Sequence, residues 1–176
     1  MKTHALNSKI VRVRVIAMAV TDDECRRFAD AGSSRTATAD AKLVDLFVMG
    51  GLLGSYLHDR DWQRNHLRRI YGFTTGWLMS LGVKTPVTPI TAERDRQEEL
   101  FRTGKINYTS ASLTVAPLQK FRTIAEEIGE VAEAIDKLEI ARHSSTKRER
   151  TKHLVEELVQ VAAVAVAWLE ALEVAK

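Results

Sequence analysis

The sequence predicts an all-α protein, a helical bundle with a carboxylate site between two long antiparallel helices. In its second half, residues 117–140 and 147–174 repeat apolar side chains at helical spacing, and the later segment contains neither glycine nor proline. Upstream, residues 40–57 and 61–81 show the same periodicity and predict a helical hairpin. A single short N-terminal segment has the alternation of a β-strand, so helices dominate the prediction.

The composition is that of an ordinary soluble globular protein. The chain has 176 residues, of which 45% are hydrophobic and 28% charged, enough for one domain or one domain with a substantial extension. The net charge of +3 is too small to indicate nucleic-acid binding. Cys25 is the only cysteine, which excludes an intrachain disulfide and favours a reducing, cytoplasmic setting. We predict no signal peptide and no membrane span, because the longest weakly polar stretch, residues 158–169, is short of the roughly 20 residues that a span needs.

The sequence of the N-terminal region predicts two short secondary-structure elements. In residues 10–19, valines alternate with arginines, which is typical of a strand; an isolated strand needs a partner, and the alternative is a helix. Residues 21–31 predict a short helix capped by Thr21 or Asp22, and residues 32–39 predict a loop.

The predicted hairpin begins at Asp40 as a helix cap, and the apolar positions of its first helix recur at helical spacing: Leu43, Leu46, Phe47, Leu53 and Leu57. Its first helix contains three glycines, Gly50, Gly51 and Gly54. Each costs about 1 kcal/mol relative to alanine, so we expect close helix packing there.

Two prolines in residues 82–89 mark the predicted boundary between an N-terminal extension, residues 1–90, and a C-terminal domain, residues 91–176. After the boundary we predict a helix over residues 91–102, capped by Thr91, with Arg94 facing Glu98 one turn later.

Matching polar positions lie on the two long helices. On a helical wheel the core stripe of the first is Ile124, Ile128, Val131, Ile135 and Leu138, and that of the second is Leu154, Leu158, Val161, Ala165, Trp168 and Leu172. Glu127 lies at the edge of the first stripe and Glu130 about 60° further round; Glu157 and Gln160 have the same offsets on the second. Each helix therefore presents a polar pair beside its core stripe.

Burying an ionised carboxylate near a core costs free energy. A divalent cation that also binds phosphate oxygens offsets this cost for several carboxylates together. Oxygen ligands favour magnesium or manganese. Either motif alone is better explained as part of a solvated helix face, as the spacing of Glu133 and Lys137 illustrates. Two such motifs on successive apolar helices favour a metal site.

The two motifs, EEIGEVAEAID at residues 126–136 and EELVQVAAVAVAWLEAL at residues 156–172, resemble those of MazG-like nucleotide pyrophosphohydrolases in the all-α nucleoside triphosphate pyrophosphatase superfamily. In that family a helix with EExxE precedes one with EExxD. Residues 93–106, ERDRQEELFRTGKI, are similar to the leading segment of small MazG-like proteins from bacteria and their phages. The resemblance covers residues 91–176.

The resemblance implies that Glu127, Glu130 and Glu157 are magnesium ligands and catalytic residues. Gln160, a further implied ligand, stands where the family usually has aspartate; it supplies no negative charge and cannot act as a base. The implied reaction is attack of water on a nucleoside triphosphate, releasing a nucleoside monophosphate and pyrophosphate. The resemblance also implies a homo-oligomer with a site completed across subunits, and the nearly all-round apolar residues 158–169 favour one.

Cationic and polar residues are also needed for the substrate. We predict contacts from Lys105 and Asn107, because a loop between helices can fold over a site. Arg94 and Lys120 are further candidates.

Other functions are open. His58 and Asp59 form an HD pair near Asp61 and His66, as in HD phosphohydrolases, but only His4 precedes the pair, and a helix end explains the cluster equally well. With Gln160 in place of an acid, the chain is alternatively a weak or inactive nucleotide-binding sensor, or a structural helical oligomer.

Overall fold

The computed structural model describes residues 23–34, 37–141 and 143–175. The described residues form six helices: α1 (Asp23–Ser33), α2 (Ala39–Ser55), α3 (Arg60–Ser80), α4 (Val87–Arg102), α5 (Pro117–Glu139) and α6 (Ser144–Val174). No strand occurs within these ranges, which confirms the all-α prediction. The segment predicted as a strand or helix, residues 10–19, and the predicted caps Thr21 and Asp22 lie outside the described residues.

Two predicted helix caps are wrong. Thr38 caps α2, its hydroxyl oxygen accepting from the backbone N–H of Ala41 at 3.2 Å, and Asp40 lies within the first turn. Thr91 lies inside α4, where its hydroxyl donates to the carbonyl of Val87 at 2.9 Å. Helix α4 begins earlier than predicted because Pro86 and Pro89 occupy the cap and first turn, where backbone N–H groups have no intrahelical acceptor.

The centre of the bundle is α6. Every residue from Val161 to Leu172 is buried, because α3, α4 and α5 of the same chain pack around it. The all-round apolar character of residues 158–169 is thus satisfied within one chain. No helix of the described ranges has the length and apolarity needed to cross a membrane.

One hydrophobic core includes residues from both sides of the predicted boundary. Leu53 of α2 and Leu67 of α3 belong to the same cluster as Ile128 of α5 and Leu158 of α6. The division at residues 90 and 91 stays a prediction from sequence; the hairpin of α2 and α3 packs directly on the long helices.

Close helix packing explains two of the three glycines in α2. A Cβ added to Gly54 would lie 2.6 Å from the ring of Phe121, and one added to Gly50 would lie 3.0 Å from Cδ1 of Ile128. Gly51 faces open space, so packing does not explain it. Phe47, one of the apolar positions at helical spacing, is 48% exposed.

A similar close approach joins α1 to α3. Gly32, predicted to lie in a loop, is buried inside α1, where a Cβ would collide with the backbone of Phe73. Gly76 of α3 meets the backbone of Ala29 in the same way.

Helix α6 begins at Ser144, soon after α5 ends at Glu139, and packs along α5, so the two helices are antiparallel. The two predicted stripes face the core as expected, with Leu138 alone half-buried. This packing brings the polar positions beside each stripe together.

Candidate metal centre

Three glutamates converge between α5 and α6. Glu127, Glu130 and Glu157 each place a carboxylate oxygen within 4.8 Å of the other two, which confirms the convergence predicted from their angular positions. Glu157 is buried, Glu127 half-buried and Glu130 exposed. The cluster therefore has a dry inner side and a side open to solvent.

The carboxylates perturb one another. Burial, followed by repulsion from Glu130 and Glu157, raises the pKa of Glu127 to about 7. Burial also raises the pKa of Glu157, together with a carboxyl–carboxylate hydrogen bond to Glu130 and repulsion from it. Without a cation, the cluster therefore retains a proton near neutral pH.

The two inner carboxylates differ in their hydrogen bonds. One oxygen of Glu157 accepts a hydrogen bond from Nε2 of Gln160 at 2.6 Å, and the other lies 3.2 Å from Nδ1 of His153. In contrast, Oε2 of Glu127 is buried without a hydrogen-bond partner among the described residues. A buried acceptor left unsatisfied costs about 1–3 kcal/mol, and more when it is charged, so this oxygen needs a ligand.

The donor set fits a hard divalent cation. Two oxygens bound to one magnesium ion at about 2.1 Å are at most about 4.2 Å apart, so side-chain shifts of about half an ångström close the cluster around it. Calcium, with bonds of about 2.3–2.6 Å, fits the separation without contraction. Oxygen ligands of high negative charge favour these cations, and manganese, over softer metals.

Gln160 and His153 hold Glu157 in place. The amide nitrogen of Gln160 is directed at Glu157, so its predicted ligation of a metal stays a prediction. Sequence reasoning missed His153, although its position one turn before Glu157 on the same helix was a usable signal.

A cavity of about 440 Å³ opens beside the carboxylates, between α4, α5, α6 and the loop that follows α4. Lys105 and Asn107, both predicted from sequence, line it, as do the next loop residues, Tyr108, Thr109 and Ser110. The apolar part of the wall is formed by Leu100, Ile106 and Val164. The cavity thus combines carboxylates, cations and an apolar surface.

Arg96 is a second cation of this cavity, beside Lys105. It lines the cavity, and its guanidinium donates two hydrogen bonds, of 2.6 and 2.7 Å, to the carboxylate of Glu93. These bonds fix its orientation. Ser110 adds a buried hydroxyl oxygen without a partner among the described residues. Both side chains are placed to meet a polar ligand.

Arg94 and Lys120, also predicted to contact substrate, are not brought to this cavity. Arg94 is fully buried and donates to Gln97, Glu98 and Glu170 at 2.8, 2.8 and 3.0 Å. The predicted pairing of Arg94 with Glu98 is confirmed. Its guanidinium lies in the core, where these three side chains accept its hydrogen bonds. Lys120 lines a separate cavity nearer the N-terminal end of α5.

The HD pair is explained by a helix end. Asp59 caps α3, accepting from the backbone N–H of Trp62 at 2.9 Å, and the ring of His66 stacks on Trp62. In the part of the chain that the structure describes, the glutamate cluster is the one group of metal-ligating side chains with suitable spacing.

The fold and site define the class: an all-α protein with a three-carboxylate cluster at the edge of a cavity that also carries cations. Comparisons with protein-family models, curated proteins and solved structures gave no match to this chain.

Proposed function

We propose that this protein is a magnesium-dependent nucleoside triphosphate pyrophosphohydrolase of the MazG-like kind, acting in nucleotide pool control in the cytoplasm. The observation that carries the proposal is the convergence of Glu127, Glu130 and Glu157 within 4.8 Å, with the buried Oε2 of Glu127 lacking a partner among the described residues. The neighbouring cavity supplies room and cations for a triphosphate.

The three glutamates would hold magnesium, with manganese as a substitute; when bound, the ion orients phosphate oxygens and offsets the charge that develops on them. Arg96 and Lys105, which line the same cavity, would contact the polyanion. The apolar wall and Tyr108 accommodate the nucleoside.

A glutamate of the cluster accepts the proton of the attacking water. The water oxygen forms a bond to the α-phosphorus, and the bond from that phosphorus to the α–β bridging oxygen breaks. Pyrophosphate leaves with the bonding electron pair, and the nucleoside monophosphate retains the water oxygen.

A homo-oligomer is part of the proposal. On α2, the exposed side chains Val44, Phe47, Val48 and Leu52 recur at helical spacing and form an apolar stripe suited to a second copy. Light scattering at micromolar concentration tests it, and a clean monomer of 19.7 kDa contradicts it.

A nucleotide-binding sensor is the second candidate, and Gln160 favours it. Its amide donates a hydrogen bond to Glu157. A carboxylate at this position would add a fourth negative charge and strengthen metal binding, whereas the observed cluster has three carboxylates. Such a site would hold nucleotide and turn it over slowly or not at all.

Calorimetric titration with nucleoside triphosphates in the presence of magnesium, alongside a pyrophosphate-release assay, separates these functions. Magnesium-dependent release of pyrophosphate and monophosphate in equal amounts supports the enzyme. Binding without product indicates the sensor, and no binding by any nucleotide of a broad panel indicates a structural protein.

A further inference from the structure

A second cavity of about 330 Å³ lies between the start of α3, the N-terminal end of α5 and the C-terminal end of α6. The apolar part of its wall includes Leu57, Leu113, Trp168 and Leu172. The cationic side chains at this cavity belong to Arg60 and Lys120, and no acidic side chain is among the described residues that line it.

Among the described residues, Lys120 has no counter-charge at this cavity. Its side chain is 5% exposed and lines the cavity, and its Nζ has no hydrogen-bond or ion-pair partner among the described residues. Burial alone lowers the pKa of this amine to about 8, with no carboxylate to oppose the shift. The ammonium group of this buried side chain is partly desolvated and has no partner among the described residues, so an anion that enters this cavity finds a favourable charge to bind.

Gln63 places an unsatisfied hydrogen-bond acceptor at the same cavity. Its Nε2 donates to the carbonyl of Leu57 at 2.6 Å, while Oε1 is buried with no hydrogen-bond partner in the described ranges. Gln63 is 2% exposed and lines the same cavity, so a ligand with an O–H or N–H group can satisfy this oxygen.

We propose that this cavity is a second ligand site, separate from the carboxylate cluster, which binds a small organic monocarboxylate with an apolar body and a hydroxyl or amide donor. The carboxylate pairs with Lys120, the donor reaches Gln63, and the apolar body contacts Trp168 and Leu172. A single carboxylate suffices because Lys120 is the buried cation among the described residues that line the cavity, whereas Arg60 is exposed and donates to the carbonyl of Ala175 at 2.6 Å.

The test uses four probes on the full chain without magnesium: 3-(4-hydroxyphenyl)propionate, 3-phenylpropionate without the hydroxyl, 4-ethylphenol without the carboxylate, and acetate without the apolar body. We expect the first to bind with a Kd of about 1 mM or tighter, and 4-ethylphenol and acetate to bind at least about tenfold more weakly. Omitting the hydroxyl should weaken binding by a smaller factor.

The variant Lys120→Met retains the apolar stem and removes the charge, and should weaken binding of 3-(4-hydroxyphenyl)propionate at least about tenfold. Arg122→Met is the matched control, since it removes an exposed cation of the same helix that does not line the cavity. Glu127→Gln should leave the affinity unchanged, which distinguishes this site from the carboxylate cluster.

A second measurement on the unmutated protein is NMR of lysines carrying ¹³C-methyl groups. Saturation with the carboxylate should raise the pKa of the Lys120 amine and of no other lysine. An affinity that survives Lys120→Met, a Lys120 signal that does not respond, or absence of binding by the whole panel at millimolar concentration overturns the proposal.

Discussion

Glu127→Gln should stabilise the metal-free protein at alkaline pH while removing its response to magnesium. The pKa of Glu127 is raised from 4.5 to about 7 by burial and then by its acidic neighbours. Between these values the folded protein holds a proton that the unfolded chain has released, so the contribution of Glu127 to the free energy of unfolding is lost as the pH rises through about 7.

The magnitude follows from the shift. At 1.36 kcal/mol per pKa unit, ionised Glu127 costs the folded state about 3 kcal/mol, and screening of this half-buried side chain brings the expected figure to about 2–3 kcal/mol. Glutamine has nearly the same volume and no charge, so it avoids this cost. For a chain of this size, the melting temperature of the variant should exceed that of the parent by about 5–10 °C at pH 8 and by little near pH 4.5.

Thermal unfolding followed by circular dichroism between pH 4.5 and 8, with EDTA and with saturating magnesium, measures the effect. Magnesium should raise the melting temperature of the parent most at pH 8, where the carboxylates are free of protons, and leave the variant unchanged. Glu133→Gln on the same helix is the control, because Glu133 is exposed and paired with Lys137. A variant that shifts the melting temperature equally at every pH would refute the electrostatic account of Glu127.

Three further predictions concern the site and its support. Glu157→Gln should abolish magnesium-dependent hydrolysis, whereas Gln160→Glu should preserve or raise magnesium affinity by calorimetry; full turnover by Glu157→Gln would show that this glutamate is not a ligand. Arg96→Met should raise KM for the triphosphate about tenfold or more with unfolding unchanged, because it removes a cation of the cavity wall and not of the core; an unchanged KM would remove Arg96 from the substrate site. Arg94→Met should lower the free energy of unfolding by about 3–5 kcal/mol, since it removes the guanidinium that balances the buried carboxylate of Glu170, and adding Glu170→Gln should recover much of the loss in urea unfolding; no recovery would show that the pair is not coupled.

The elements that sequence reasoning placed well depend on local periodicity. A helix rotates by about 100° per residue whatever surrounds it, so the apolar stripes of α5 and α6 and the offsets of Glu127, Glu130 and Glu157 followed from sequence alone. Helix ends were less predictable. Prolines serve equally well in a loop or in a first turn, and for Pro86 and Pro89 the structure shows the first turn.

Only the tertiary structure decided which polar residues meet. Arg94 and Arg96 are two residues apart on α4 and therefore point to different sides; the position of α6 directs Arg94 into the core and Arg96 to the cavity. Lys120 and Glu127 lie seven residues apart on one face of α5, yet they line different cavities. Sequence determined which side chains share a helix face, and packing decided what each face contacts, because contacts between helices depend on the position of every other element of the bundle.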